Sequence, residues 1–169
     1  MANSVLASRR ARPTVATFLP RRQFAEFVAV LSCSLFAGAS VYINLVEHPA
    51  RMECGVELAA TEFPPSYRRG TIMQVTLATV CVLSSIAAWL AGATFWWVVA
   101  GALQVSVIPF TLIVILPTNK QLLNPALDRR SAQTERLLAR WGRLHAVRSA
   151  LSAFALLLFL FLLTFANSQ

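Results

Sequence analysis

Four long apolar segments, at about 24–46, 71–91, 95–116 and 145–165, alternate with polar stretches along the chain. At a helical rise of about 1.5 Å per residue, each is long enough to cross roughly 30 Å of hydrocarbon. Only Gly92, Ala93 and Thr94 separate the second segment from the third, which forces an antiparallel hairpin. The pattern predicts an all-α fold: a four-helix transmembrane bundle with two polar loops on one side. Those loops are the 47–70 segment and the 117–143 segment. Both termini and the Gly92–Thr94 turn fall on the other side.

Local signals refine this frame. Residues 1–22 hold Arg9, Arg10, Arg12, Arg21 and Arg22 among Ala, Ser and Thr, with no acidic residue. That composition suits a disordered basic tail, and equally an organelle transit peptide. Residues 23–169 form the four-helix membrane domain. Glu26, near the start of the first span, lies where the interface can solvate it, and Ser34, Gly38, Ala39 and Ser40 let a neighbouring helix approach. Pro49 kinks or ends the first helix, so Arg51 belongs either to it or to a second short element. Residues 52–70 predict a short amphipathic helix and a turn at Pro64–Pro65. Trp96 and Trp97 suit an interfacial belt, Pro109 bends the third span, and a helix from about Ser131 lies within the 117–143 loop.

Composition supports the membrane reading. Hydrophobic residues make up 57% of the chain and charged ones 13%, too apolar a balance for a soluble globule. The net charge of +8 sits in the tail and in the polar segments flanking the spans, as in membrane proteins, and no nucleic-acid recognition motif accompanies it. The tail carries five of the basic residues and the two opposite loops carry nine, which favours a cytosolic location for the loops. Cys33, Cys54 and Cys81 have no CxxC spacing, so a thiol oxidoreductase is not indicated.

Chemistry-bearing residues collect at the loop end. Asn44, His48 and Arg51 are spaced i, i+4, i+7, and Trp141, His145 and Arg148 repeat that spacing, placing each trio on one face of a continuous helix. The topology brings both trios to the same end of the bundle, with Tyr67, Gln74 and Asn119 nearby. Each has an ordinary structural reading too: Trp141 as an interfacial anchor, Asn119 as a cap, Tyr67 as a headgroup contact, and Gln74 and Thr111 as partners of other helices or of the main chain. Metal ligation would have to draw on His48, His145 and Glu47 or Glu53, a thin donor set. No HExxH, haem, phosphate-loop or dinucleotide motif occurs, and Asp128 is the only aspartate, so a Ser/His/Asp triad lacks support.

These residues resemble the membrane family grouped as DUF1772, which includes the anthrone oxygenases of aromatic polyketide pathways. The resemblance covers roughly residues 30–165. It rests on Gly38, Glu47–Arg51 (EHPAR), Tyr67–Arg68 with Gln74, Pro109–Thr111, Pro117–Asn119 and the WGRLHAVR stretch ending at Arg148. It implies oxidation of an anthrone to an anthraquinone with O2, without a flavin or haem. His145 would be the base, with His48 as a second base or proton relay. Arg148 and Arg51 would stabilise anionic species, while Asn119, Trp141, Tyr67, Asn44 and Gln74 would hold the substrate. The partners implied are the lipid bilayer, O2 and a small aromatic. Two alternatives stay open: the same site with Cu or Fe bound by His48 and His145, and a non-enzymatic membrane protein binding a lipid or small apolar molecule. The catalytic reading requires both histidines to converge within one polar mouth.

Overall fold

The computed structural model describes residues 15–165, with side chains from Arg21 onward. The first membrane helix consists of α1 (Val15–Tyr42), a π-helical turn at Ile43–Glu47 and α2 (His48–Glu53). The chain reverses at Cys54–Gly55, where glycine supplies the left-handed φ of 101° that a side chain would resist. The second helix is α3 (Val56–Leu90). The third comprises α4 (Trp96–Val105), α5 (Val107–Phe110), a second π-helical turn at Thr111–Ile115 and α6 (Leu116–Leu122). The fourth is α7 (Ala132–Phe165). Among the described residues, four helices are long and apolar enough to cross a membrane, namely Arg21–Glu53, Val56–Leu90, Trp96–Leu122 and Ala132–Phe165. The chain is a multi-pass integral membrane protein with an all-α, four-helix fold.

The helices outrun the apolar segments because their polar ends remain helical. The expected Pro64–Pro65 turn does not exist: both prolines lie inside α3, and the reversal comes earlier, at Gly55. A proline removes one backbone donor and crowds the preceding turn, yet its φ suits a helix. Here the buried face Ala59, Ala60, Phe63 continues through the prolines to Gln74 and Ala78, so tertiary packing maintains the helix. The helix expected from about Ser131 and the fourth span are likewise one element, α7. α1 begins at Val15, within the stretch read as tail, and residues 1–14 of that tail lie outside the described residues.

The two π turns share a cause. His48 N–H bonds back to Ile43 O and Leu116 N–H to Thr111 O, and in each case the next residue is a proline, Pro49 or Pro117. A proline ring in a tight α-turn collides with the carbonyl four residues earlier. Admitting one extra residue to the turn relieves that collision and lets the helix continue.

α1 and α4 each pack against both α3 and α7, so the four helices form a closed ring. Near the Gly92 turn its core is filled by Cys33, Cys81, Trp97 and Phe159 among buried alanines. Trp97 is fully buried, 5.5 Å from the Phe159 ring, whereas Trp96 is exposed, so the expected belt contains one tryptophan. Adjacent helical residues point about 100° apart, and only one of the two can face lipid. Glu26 is also buried rather than solvated, paired with Arg22 at 2.7 Å. At the loop end a second core gathers Phe63, Ile115, Leu138 and Trp141.

Candidate functional site

The fourth helix carries the site on one face. α7 is unbroken, so Trp141, His145 and Arg148 project together into a cavity of ≈ 120 Å³ enclosed by all four membrane helices. One water sphere needs about 10–15 Å³ on this measure, so the space holds several waters or part of a planar ring system.

His145 is 2% exposed, and its Nδ1 lies 2.7 Å from Asn44 Oδ1. The Asn44 amide donates through Nδ2 to Gly142 O at 3.1 Å, which leaves Oδ1 facing the imidazole as an acceptor. Ser149 Oγ, 2.5 Å away, donates to the same oxygen and lies 3.0 Å from Ser40 O. An acceptor opposite Nδ1 assigns the proton of a neutral imidazole to Nδ1 and leaves the lone pair on Nε2. Trp141 stacks on the ring at 4.8 Å between centroids, limiting its rotation.

Arg148 lies one helical turn deeper. Its guanidinium is 5.1 Å from the Phe36 ring centre and donates through Nη2 to Gln74 Oε1, while Gln74 Nε2 donates to Ser40 Oγ at 3.2 Å. Its Nε is buried without a partner. Among the described residues, no carboxylate pairs with Arg148. Arg51 differs: it donates to Glu62 at 2.5 Å, lies 3.8 Å from Glu47 and stacks over Trp141 at 5.2 Å. The charge of Arg51 is already balanced, whereas that of Arg148 has only a neutral amide beside it.

Tyr67, Gln74 and Asn119 also line the cavity. Tyr67 stacks on Phe63 at 5.8 Å, and Asn119, 1% exposed, keeps its Oδ1 without a partner. Asn44 and His48 do not line it. Asn44 stands behind His145, and His48 packs against the far side of Gly142, where an added Cβ would lie 2.5 Å from its Nε2. The histidines therefore meet through Trp141, whose ring is 5.2 Å from His48 and 4.8 Å from His145, and only His145 enters the cavity. Asn44 reaches both residues of α7, its Oδ1 toward His145 and its Nδ2 to Gly142 O, while His48 rests against Gly142 and the Trp141 ring. Among the described residues, no three His, Cys, Asp or Glu side chains form a group that could hold a metal ion.

Sequence reasoning overlooked Ser149, Gly142 and Phe36 as parts of the site. Ser149 is four residues beyond His145, and extending the polar face of α7 by one turn finds it. Gly142 supplies the carbonyl for Asn44 and the clearance for His48, a role fixed by contacts from another helix. Phe36, an ordinary apolar residue of the first span, gives no signal in the sequence.

The profile of the family described as anthrone oxygenase matches residues 63–158. The chain is also 30% identical over 135 residues to the anthrone oxygenase tpcL of Aspergillus fumigatus, an alignment covering 73% of this chain and 83% of the relative. No solved structure matches. With the family profile covering more than half of the chain, a stretch that includes Tyr67, Asn119, His145 and Arg148 of the cavity lining, this protein belongs to the anthrone oxygenase family.

Proposed function

We propose that this protein oxidises a hydroxylated anthrone, or a closely similar phenolic polycyclic, to the corresponding quinone with O2. The observation that carries the reading is the pairing of a tautomer-fixed His145 with an Arg148 that has no carboxylate partner, both lining one largely apolar cavity. Membership of the family supports the same chemistry.

The balance of the reaction sets what the residues must do. An anthrone methylene loses two hydrogens and gains one oxygen atom, and the second oxygen atom of O2 leaves as water. His145 Nε2 takes the first C–H proton, and the electron pair delocalises onto the ring oxygens. Arg148 stabilises that oxyanion, and Tyr67 and Asn119 orient the phenolic oxygens. The electron-rich anion passes one electron to O2, and the resulting radical and superoxide combine to a peroxide anion that the protonated His145 converts to the hydroperoxide by returning its proton. Loss of the second C–H proton, with cleavage of the O–O bond, gives the quinone carbonyl and hydroxide, which leaves as water. The electrons come from the substrate, so this reading needs no flavin, haem or metal. Metal analysis of an active preparation tests that point: equimolar Cu or Fe, lost together with activity on chelation, would replace it.

The direct test is oxygen uptake and quinone absorbance with a dihydroxyanthrone in vesicles. His145→Gln, correctly inserted, should lose about 10²–10⁴ of turnover, the range for removing a general base. Unchanged turnover sinks the assignment. A parent protein that binds the aromatic but consumes no O2 would favour the non-enzymatic carrier.

A further inference from the structure

We infer that the cavity opens sideways into the bilayer, through a gap between the second and third membrane helices beside Val75 and Leu112, and that a membrane-dissolved polycyclic phenol enters there. The identity of the occupant rests on the function proposed above. The opening itself rests on packing.

Near the Gly92 turn the second and third helices are in close contact. A Cβ on Gly101 would lie 2.8 Å from Ser85 Cβ, and α3 packs along α4. No comparable packing joins α3 to α5 or to the π turn that follows. The helices part at the level of the cavity, where Gly70 adds no side chain to fill the space. Three cavity-lining residues are consequently exposed on the outer surface: Val75 at 45%, Leu112 at 57% and Thr71. The neighbours Ile72 and Ile113 are more exposed than Val75 and Leu112, so the rim is mainly apolar.

The depth of the gap identifies what it faces. Counted at about 1.5 Å per residue, Val75 lies roughly 22 Å from Leu90 along α3, and Leu112 lies roughly 24 Å from Trp96. Both distances fall within the roughly 30 Å of hydrocarbon, so the gap faces acyl chains rather than water. The loop end is polar in contrast. There the Arg51–Glu62 pair, Arg51 over Trp141, and the buried cluster of Phe63, Leu122 and Leu138 pack over the cavity, with Glu47 and Ser66 half-buried at its edge. A flat apolar molecule bearing phenol groups partitions into the membrane at this depth. It can slide in with its rings among Phe36, Val107 and Ile115 and its oxygens toward Arg148.

The test uses the full chain in phosphatidylcholine vesicles, with dihydroxyanthraquinone as a non-reacting probe and dihydroxyanthrone as substrate. Probe arrival is followed as quenching of Trp141, taken as the difference from a Trp141→Phe protein. Val75→Phe/Leu112→Phe narrows the gap at two lipid-facing positions and should lower the quenching rate and kcat/KM by about tenfold with kcat little changed. Val75→Ala/Leu112→Ala should raise both rates, and Leu83→Phe, lipid-facing but away from the cavity, should leave them as they are. Parent rates in both double variants overturn the side entrance, and if the parent consumes O2 the oxidation reading survives that result. Gap-dependent quenching in a parent that consumes no O2 supports the entrance and overturns the oxidation reading instead.

Discussion

The two ends of the bundle are built from the same four helices but by opposite means. The end near Gly92 is closed by small residues: Ala29, Ala88 and Ala100 bring backbones together, Gly101 meets Ser85, and Trp97 with Phe159 fills the remaining volume. The loop end is spread by two proline-induced π turns, and its interior is lined by apolar side chains with a few polar and charged groups set among them. Close packing in a bundle leaves no room for a ligand, and open packing forfeits dispersion contacts along every lining side chain. The comparison teaches that one half supplies rigidity so that the other can remain hollow.

Substitutions can break this division of labour. The largest effect expected, after that of His145, is at Arg148. Arg148→Gln removes the cation without a carboxylate partner and should lower kcat/KM about 10²–10³-fold, measured as quinone formation. Arg51→Gln, whose parent charge is already balanced by Glu62 and Glu47, should lose far less turnover per folded molecule. Equal losses at the two positions would remove the distinction drawn between them.

Next in size is Asn44→Leu, which removes the acceptor opposite Nδ1 and should reduce kcat about 10–100-fold with KM little changed, the scale found for groups that orient a ligand or base. Asn44→Asp keeps an acceptor there and should recover most of that loss. A merely structural Asn44 would show no such split and no such rescue. The smallest effects concern stability. Gly101→Ala places a methyl 2.8 Å from Ser85 and 3.4 Å from the Val82 backbone, so it should cost about 1–3 kcal/mol by thermal unfolding, with activity per folded molecule retained. Gly142→Ala meets a side chain that can yield, the His48 ring, and its helix propensity improves by up to about 1 kcal/mol, so its net cost should be smaller.

Much of this was legible in the sequence, and the exceptions have definite causes. The four spans, the placement of polar groups at one end and the shared face of Trp141, His145 and Arg148 follow from apolar length and α periodicity, which hold wherever a helix is unbroken. The first trio was legible only in part: Asn44 reaches His145 and Arg51 lies over Trp141, but His48 packs on Gly142 outside the cavity, a placement set by contacts with another helix. The Pro64–Pro65 turn failed for a related reason: local proline chemistry was overridden by the buried stripe of α3. Gly142, Ser40 and Phe36 take their roles from neighbours distant in sequence, which periodicity within one helix does not encode.

The π turn at Ile43–Glu47 also fixes the phase of everything beyond it. An extra residue in a turn rotates the following helix by about 100° relative to an uninterrupted one. Straightening that turn at full length would carry Arg51 off the Trp141 ring with every side chain of the site still present, whereas straightening it with the loss of one residue would cancel the rotation and keep Arg51 in place. Spacing is therefore part of the site's chemical specification, and the one length change this segment can absorb is loss of the residue that the π turn accommodates.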